Sequence, residues 1–289
     1  MRINVISKSF KNLDLIAKSK RSKYIKSKPY PHIILKNFFD KDFLNKVVKE
    51  FPDLSKVKTS INYNNKNEVK FANNKKKIFK KNTKLLFQYL NSSQFINFMQ
   101  ILTSIEEKLL PDNALNGGGL HEIKRGGVLK VHTDFNKHPF KKLDRRINVL
   151  IYLNKNWKKN YGGNLELWNK YMNKCEKKIL PKFNTMVIFS TNDFTNHGHP
   201  NPLRCPKNRS RKSIATYYFS KGRPKKEITK IIKKNRTEFK NRVGILNDVS
   251  IKEEYIKNIF RNLKVYQSIK KFEKKYIRTG NSRRKRKIS

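Results

Sequence analysis

The sequence is short of acidic residues: Asp and Glu number 21 against 69 Lys and Arg, a formal net charge of +48. Cysteine is scarcer, with only Cys175 and Cys205, too few for a disulfide framework, and neither belongs to a CxxC pair. With no secretory signal in view, this cysteine usage predicts a reducing cytoplasmic location. No run of about eighteen apolar residues occurs, which argues against a membrane-spanning helix and predicts no membrane insertion. Internal repeats are lacking too. No zinc finger or RNP box accompanies the positive charge, and lysine is spread over the whole length rather than gathered in a stripe. A compositional bias toward Lys, Asn and Ile accounts for the charge, so no specific nucleic-acid partner is expected, only weak anion binding at low salt.

What is present suffices for a substantial core: 36% hydrophobic residues, with 12 Tyr and 19 Phe, in 289 residues. Residues 1–28, basic and poor in acids, read as a loosely ordered leader. Residues 29–116 read as a helical support region. It opens with the strand-like His32-Ile33-Ile34-Leu35, followed by a helix from Asp40 to Phe51 with Asp40 as N-cap and Phe43, Val47, Val48 and Phe51 at helical spacing. The polar stretch 53–76 reads as loop. Further helices are expected at about Lys84–Leu90 and Ser93–Leu110, the last stopped by Pro111.

From Gly117 the period shortens and Gly turns appear. Strand-like pieces lie at Gly119–Ile123, Val128–Thr133, Ile147–Leu153, Asn164–Trp168, Thr185–Ser190 and Ser213–Phe219. Short strands parted by Gly, Asn and Pro are the pattern of an antiparallel sandwich or jelly roll. Residues 117–222 are therefore read as a β core, 223–278 as helices carrying Ile228, Ile231, Ile232, Tyr255, Ile259, Leu263 and Tyr266, and 279–289 as a solvated basic tail.

The chemistry centres on Val131-His132-Thr133-Asp134-Phe135. Residues two apart on a strand share a face, so His132 and Asp134 can aim an imidazole and a carboxylate at one point. A distant His would complete the two-His-one-carboxylate set suited to non-haem Fe(II). Asn196-His197-Gly198 stands 63 residues beyond Asp134, and His199 two residues later shares the same strand face. Arg211, fourteen residues past His197, opens a strand where a guanidinium can pair with a carboxylate.

In this order the motifs resemble the prolyl-4-hydroxylase-type 2-oxoglutarate/Fe(II)-dependent dioxygenases, over about Gly117 to Pro224. The pieces are Val131–Phe135, Arg145-Arg146-Ile147-Asn148-Val149-Leu150-Ile151-Tyr152-Leu153-Asn154, Tyr161-Gly162-Gly163-Asn164-Leu165-Glu166-Leu167-Trp168, Pro181–Phe189, His197-Gly198 and Arg211–Phe219. The resemblance implies an α+β, mainly β, fold: a double-stranded β-helix core with flanking helices. It implies that His132, Asp134 and His197 are the metal ligands, Gly after the ligand selecting His197 over His199. It implies that Arg211 binds the distal carboxylate of 2-oxoglutarate beside Tyr152, with Arg209 as the rival counted out from Phe219. Gly162-Gly163 needs no role beyond a turn. His121 and His138 read as ordinary strand or loop residues, and Arg145, Arg146 and Lys212 as nearby cations.

The activity so implied is hydroxylation of a protein or small-molecule substrate, prolyl peptide being the one the family name suggests. It consumes molecular oxygen and 2-oxoglutarate, releases succinate and CO2, and is commonly supported by L-ascorbate (vitamin C). Related halogenases carry a small residue at the carboxylate position, so Asp134 points to hydroxylation. Two alternatives are a catalytically silent basic module for an anionic polymer and a cupin-like metalloprotein that ignores 2-oxoglutarate. Oxygen-dependent succinate formation separates all three.

Overall fold

A computed structural model describes residues 4–227 and 236–250 of the chain. The elements run α1 (Leu13–Lys26), β1 (His32–Lys36), α2 (Lys41–Glu50), β2 (Ile61–Asn64), β3 (Val69–Asn73), α3 (Lys81–Leu90), α4 (Ser93–Thr103) and β4 (Leu110–Pro111). There follow β5 (Gly119–Lys124), β6 (Leu129–Thr133), β7 (Asp144–Tyr152), β8 (Leu165–Trp168), β9 (Cys175–Ile179), β10 (Thr185–Ser190), β11 (Asn196–His199), β12 (Ser210–Ser220) and β13 (Glu238–Phe239).

An eight-stranded sheet has the order β1-β10-β7-β12-β5-β3-β2 with β4 against β12, and a five-stranded sheet the order β13-β6-β11-β8-β9. They stack as the expected jelly roll. Strand alternation explains the layering. On β7, Ile147, Val149 and Ile151 pack with Met186 and Ile188 of β10 into the core shared with the helices. Their alternates Tyr152, Val187 and Phe189 face the other way and meet Leu165, Leu167 and Ile179 of the smaller sheet. The larger sheet is thus covered on both faces, helices outside and the second sheet inside.

The helices obey local rules. Asp40 caps α2 by accepting from the Phe43 amide at 2.8 Å, and Phe43, Leu44 and Val47 are buried. Helix α4 is shorter than expected: Ser104 takes the left-handed conformation (φ 53°) and ends it. Leu110 and Pro111 instead pair with Phe219 and Tyr218.

Three regions differ from the sequence reading. The leader, expected to be loosely ordered, forms α1, which buries Leu13, Ala17 and Tyr24 and bonds the Tyr24 hydroxyl to Ser190 Oγ at 2.8 Å. Its apolar stripe is narrow and interrupted by Lys and Ser, so the periodicity is faint. The polar stretch 53–76 holds the β2–β3 hairpin, which joins the sheet by pairing Phe71–Asn73 with Leu120–Glu122 of β5. Backbone hydrogen bonds build this edge, and they need no apolar alternation. In the C-terminal region expected to be helical, residues 236–250 supply β13 and turns, with Glu238 and Phe239 opposite Thr133 and His132 of β6. The helices expected around Ile228–Ile232 and Tyr255–Tyr266, and the tail 279–289, lie outside the described residues.

Candidate active site

Strand β6 delivers His132 from its inner face, and Asp134 follows where the strand ends. Strand β11 lies antiparallel to β6 with His197 directly opposite His132. Their ring centroids are 4.5 Å apart. One ligand atom from each of His132, Asp134 and His197 lies within 4.8 Å of the others. His132 Nε2 is 3.6 Å from Asp134 Oδ1 and His197 Nε2 is 3.3 Å from Asp134 Oδ2.

The tautomers follow from the backbone. His132 Nδ1 lies 2.8 Å from the Lys130 carbonyl oxygen, and His197 Nδ1 lies 3.0 Å from that of Thr195. A carbonyl oxygen only accepts, so each Nδ1 carries its ring's hydrogen and each Nε2 presents a lone pair to the centre. Two imidazole lone pairs and a carboxylate then converge on one point, an arrangement that repels itself until a cation sits in it. Three such ligands fit a divalent transition metal and leave coordination positions free for other molecules.

Asp134 is anchored from behind. Its Oδ2 accepts from Arg145 Nη2 at 3.0 Å and Asn148 Nδ2 at 2.6 Å. Arg145 is fully buried, bonds Asn148 Oδ1 through Nε at 2.8 Å, and lies 3.4 Å from the Tyr217 ring centroid and 4.4 Å from that of Phe135. Burial alone would raise the Asp134 carboxyl, but the Arg145 guanidinium beside it opposes this, and the group is held well below the usual carboxylate range. His132 is held down by burial first and by His197 second. Sequence reasoning treated Arg145 as a bystander and did not weigh Asn148. The available signal was an Asn in the middle of an apolar strand, four residues from Tyr152 and on the same face.

Across the interior, Arg211 of β12 is buried at 5% exposure, donates from Nε to the Gly163 carbonyl oxygen at 2.8 Å and from Nη2 to the Tyr152 hydroxyl at 3.2 Å. No carboxylate among the described residues pairs with it. A buried guanidinium without a counter-ion is costly, so the pocket suits an incoming carboxylate. Arg209 points away, bonding the Lys155 carbonyl oxygen and lying over the Tyr161 ring. Arg146 binds Glu107 and Ser220, and Lys212 lies over the Phe51 ring.

Gly163 does more than turn the chain. It has φ +71°, and a Cβ there would stand 2.5 Å from Leu203 Cδ2 and 3.0 Å from Arg211 Cδ. Its bareness is what lets Arg211 lie along the loop. His138 is a loop residue tied to Asp112 at 3.7 Å and Asn116 at 3.4 Å. His121, on β5 opposite Ser213, has no partner for its Nε2 among the described residues, and burial with the Lys70 ammonium pushes its imidazole down to about 3.

Residues 118–219 match the model of the 2OG-Fe(II) oxygenase superfamily. In fold, the chain is similar to a prolyl hydroxylase from Trichoplax adhaerens solved in complex with a hypoxia inducible factor oxygen degradation domain peptide fragment. The identity is 16% and the TM-score 0.54, over 73% of this chain and 92% of that one. It is likewise similar to a prolyl 4-hydroxylase from Phytophthora capsici, at 16% identity and TM-score 0.50 over 76% and 68% of the two chains. No curated protein matches the sequence. At such identities the solved structures speak to fold, while the family match and the His–Asp–His cluster define the class. Residues 118–219, which hold the His–Asp–His cluster, are a region of the 2OG-Fe(II) oxygenase type, a class of dioxygenase oxidoreductases. No helix among the described residues is long and apolar enough to cross a membrane.

Proposed function

We propose that this oxygenase hydroxylates a peptidyl substrate, a prolyl residue foremost, with iron(II) held by His132, Asp134 and His197. Arg211 and the Tyr152 hydroxyl receive the distal carboxylate of 2-oxoglutarate. The observation that carries the reading is the pairing of two features across one interior: a metal-ready cluster, and a buried cationic pocket with no carboxylate partner among the described residues.

Bound iron supplies the redox chemistry that couples oxidation of 2-oxoglutarate to succinate and CO2 with hydroxylation of the substrate. The chain's residues contribute placement. The Lys130 and Thr195 carbonyls fix the imidazoles, and Arg145 and Asn148 hold one oxygen of Asp134 so that the other is free to bind metal. A carboxylate at position 134 supports hydroxylation over halogenation, whose enzymes lack that ligand. L-ascorbate acts as the reductant that keeps the metal ferrous. A peptide partner is favoured by the T. adhaerens relative's complex with a peptide. The free thiols of Cys175 and Cys205 suit a reducing cytoplasm.

The test is succinate formation with Fe(II), 2-oxoglutarate and oxygen, followed by mass spectrometry of a proline-containing peptide library for the gain of one oxygen atom. Oxygen-dependent succinate release with peptide hydroxylation is expected. Turnover without 2-oxoglutarate, or none with iron bound, would overturn the reading.

A further inference from the structure

The sequence leaves His197 and His199 as rivals for one role, and the structure separates them. His197 joins the metal-ready cluster. His199 is 2% exposed, and among the described residues neither of its ring nitrogens has a hydrogen-bond partner. That is an expensive state for a buried polar side chain in a protein whose other buried groups are mostly paired.

Where His199 points follows from the strand register. His197 pairs with His132 and His199 with Leu129, so the register advances two residues on β11 and three on β6. The extra residue therefore belongs to β6, and β11 keeps its strict alternation. At Gly198 between them the β6 backbone comes close: a Cβ there would stand 2.8 Å from the Leu129 and Lys130 carbonyl oxygens. His199 shares the inward face of His197. From the facing sheet, Arg211 also reaches into this interior, and stacked sheets stand about 10 Å apart, a gap that two long polar side chains and a carboxylate can fill.

We propose that His199 is a further co-substrate-binding residue, donating one ring N–H to the same distal carboxylate of 2-oxoglutarate that Arg211 receives. This rests on the reading of Arg211 given above. Three donors, from Arg211, Tyr152 and His199, then surround a single carboxylate. The neutral ring adds a hydrogen bond without adding a second buried charge. Its other nitrogen, an acceptor, is satisfied by whichever donor or water accompanies the ligand.

The test uses the full chain loaded with Mn(II), anaerobically, and calorimetric titration with two ligands: 2-oxoglutarate, and 2-oxopentanoate, which chelates identically but lacks the distal carboxylate. His199→Leu should weaken 2-oxoglutarate roughly ten- to a hundredfold, the range for a hydrogen bond to a charged group. It should leave 2-oxopentanoate and Mn(II) affinity unchanged, and His199→Gln, which keeps an N–H, should recover much of the loss. Equal weakening of both ligands, loss of Mn(II), or no change in the Leu variant would overturn the proposal. Arg211→Met is the reference arm. If it fails to abolish the preference for 2-oxoglutarate over 2-oxopentanoate, the Arg211 reading itself falls; if it abolishes the preference and His199→Leu does not alter it, only the His199 proposal falls.

Discussion

The guanidinium of Arg145 meets Asp134 through Nη2 and Oδ2 at 3.0 Å, with Arg145 buried between the rings of Phe135 and Tyr217. The pair connects the start of β7 to the end of β6, so the carboxylate of the His–Asp–His cluster is aimed by a residue eleven positions later in the chain.

Replacing Arg145 by Met should therefore act on metal binding without touching a ligand. Loss of an outer hydrogen-bonding partner typically costs ten- to a hundredfold in metal affinity, and about that is expected here for Mn(II). Breaking a buried ion pair also destabilises a fold by about 3–5 kcal/mol, so the melting temperature should drop as well. Asn148→Ala should repeat the affinity loss more mildly. Metal affinity at wild-type level in both variants would show that Asp134 needs no anchoring.

Direct removal of ligands should be harsher. Asp134→Ala and His197→Ala are expected to lose iron retention and succinate formation, whereas His199→Ala should retain iron. Metal analysis after gel filtration decides it. Iron lost from the His199 variant and kept in the His197 variant would exchange their roles.

Arg211→Met should keep iron and lose 2-oxoglutarate affinity by about 2–5 kcal/mol, the cost of truncating one partner of a buried charge pair. Gly163→Ala should move in the same direction, because its methyl group would press on Leu203 and on Arg211 Cδ and strain a φ of +71°. The apparent constant for 2-oxoglutarate in a succinate assay is the measurement. A Gly163 variant with an unaltered constant would mean the loop shifts freely and does not position Arg211.

The segment carrying β13 should come loose in acid. Asp248 accepts from Arg242 Nε at 2.7 Å and from Lys130 Nζ at 3.2 Å, tying residues 236–250 to β6. Burial would raise this carboxyl, but the hydrogen bonds from Arg242 and Lys130 prevail and lower it. A carboxyl depressed in the folded state contributes stability above its unfolded value, here 3.8, and loses it as pH falls through the folded value. Backbone hydrogen exchange at Lys240, whose amide donates to the Val131 carbonyl oxygen, should therefore stay protected at neutral pH and rise below that range. Asp248→Asn should show raised exchange at neutral pH. Equal protection in variant and wild type would show that backbone pairing alone holds the segment.

Much of this protein was determined by local sequence. Period-two alternation placed β10 at Thr185–Ser190 and located the other main strands of the core to within three residues. His132 and Asp134 were legible because a spacing of two puts side chains on one face of a strand wherever the strand lies. Asp40 was legible as a cap because capping is settled within one helical turn. Tertiary structure decided the rest. Alternation cannot choose between His197 and His199; the pairing partner does, by setting His197 against His132 and His199 against Leu129. Arg145 became an anchor only once β7 carried it beneath Asp134, and Gly163 mattered only once Arg211 lay against it. The β2–β3 hairpin and α1 left weak sequence signals, since an edge strand is held by backbone bonds and a Lys-rich helix buries a narrow stripe. Contacts between residues far apart in the chain are made by the fold, and no local pattern encodes them.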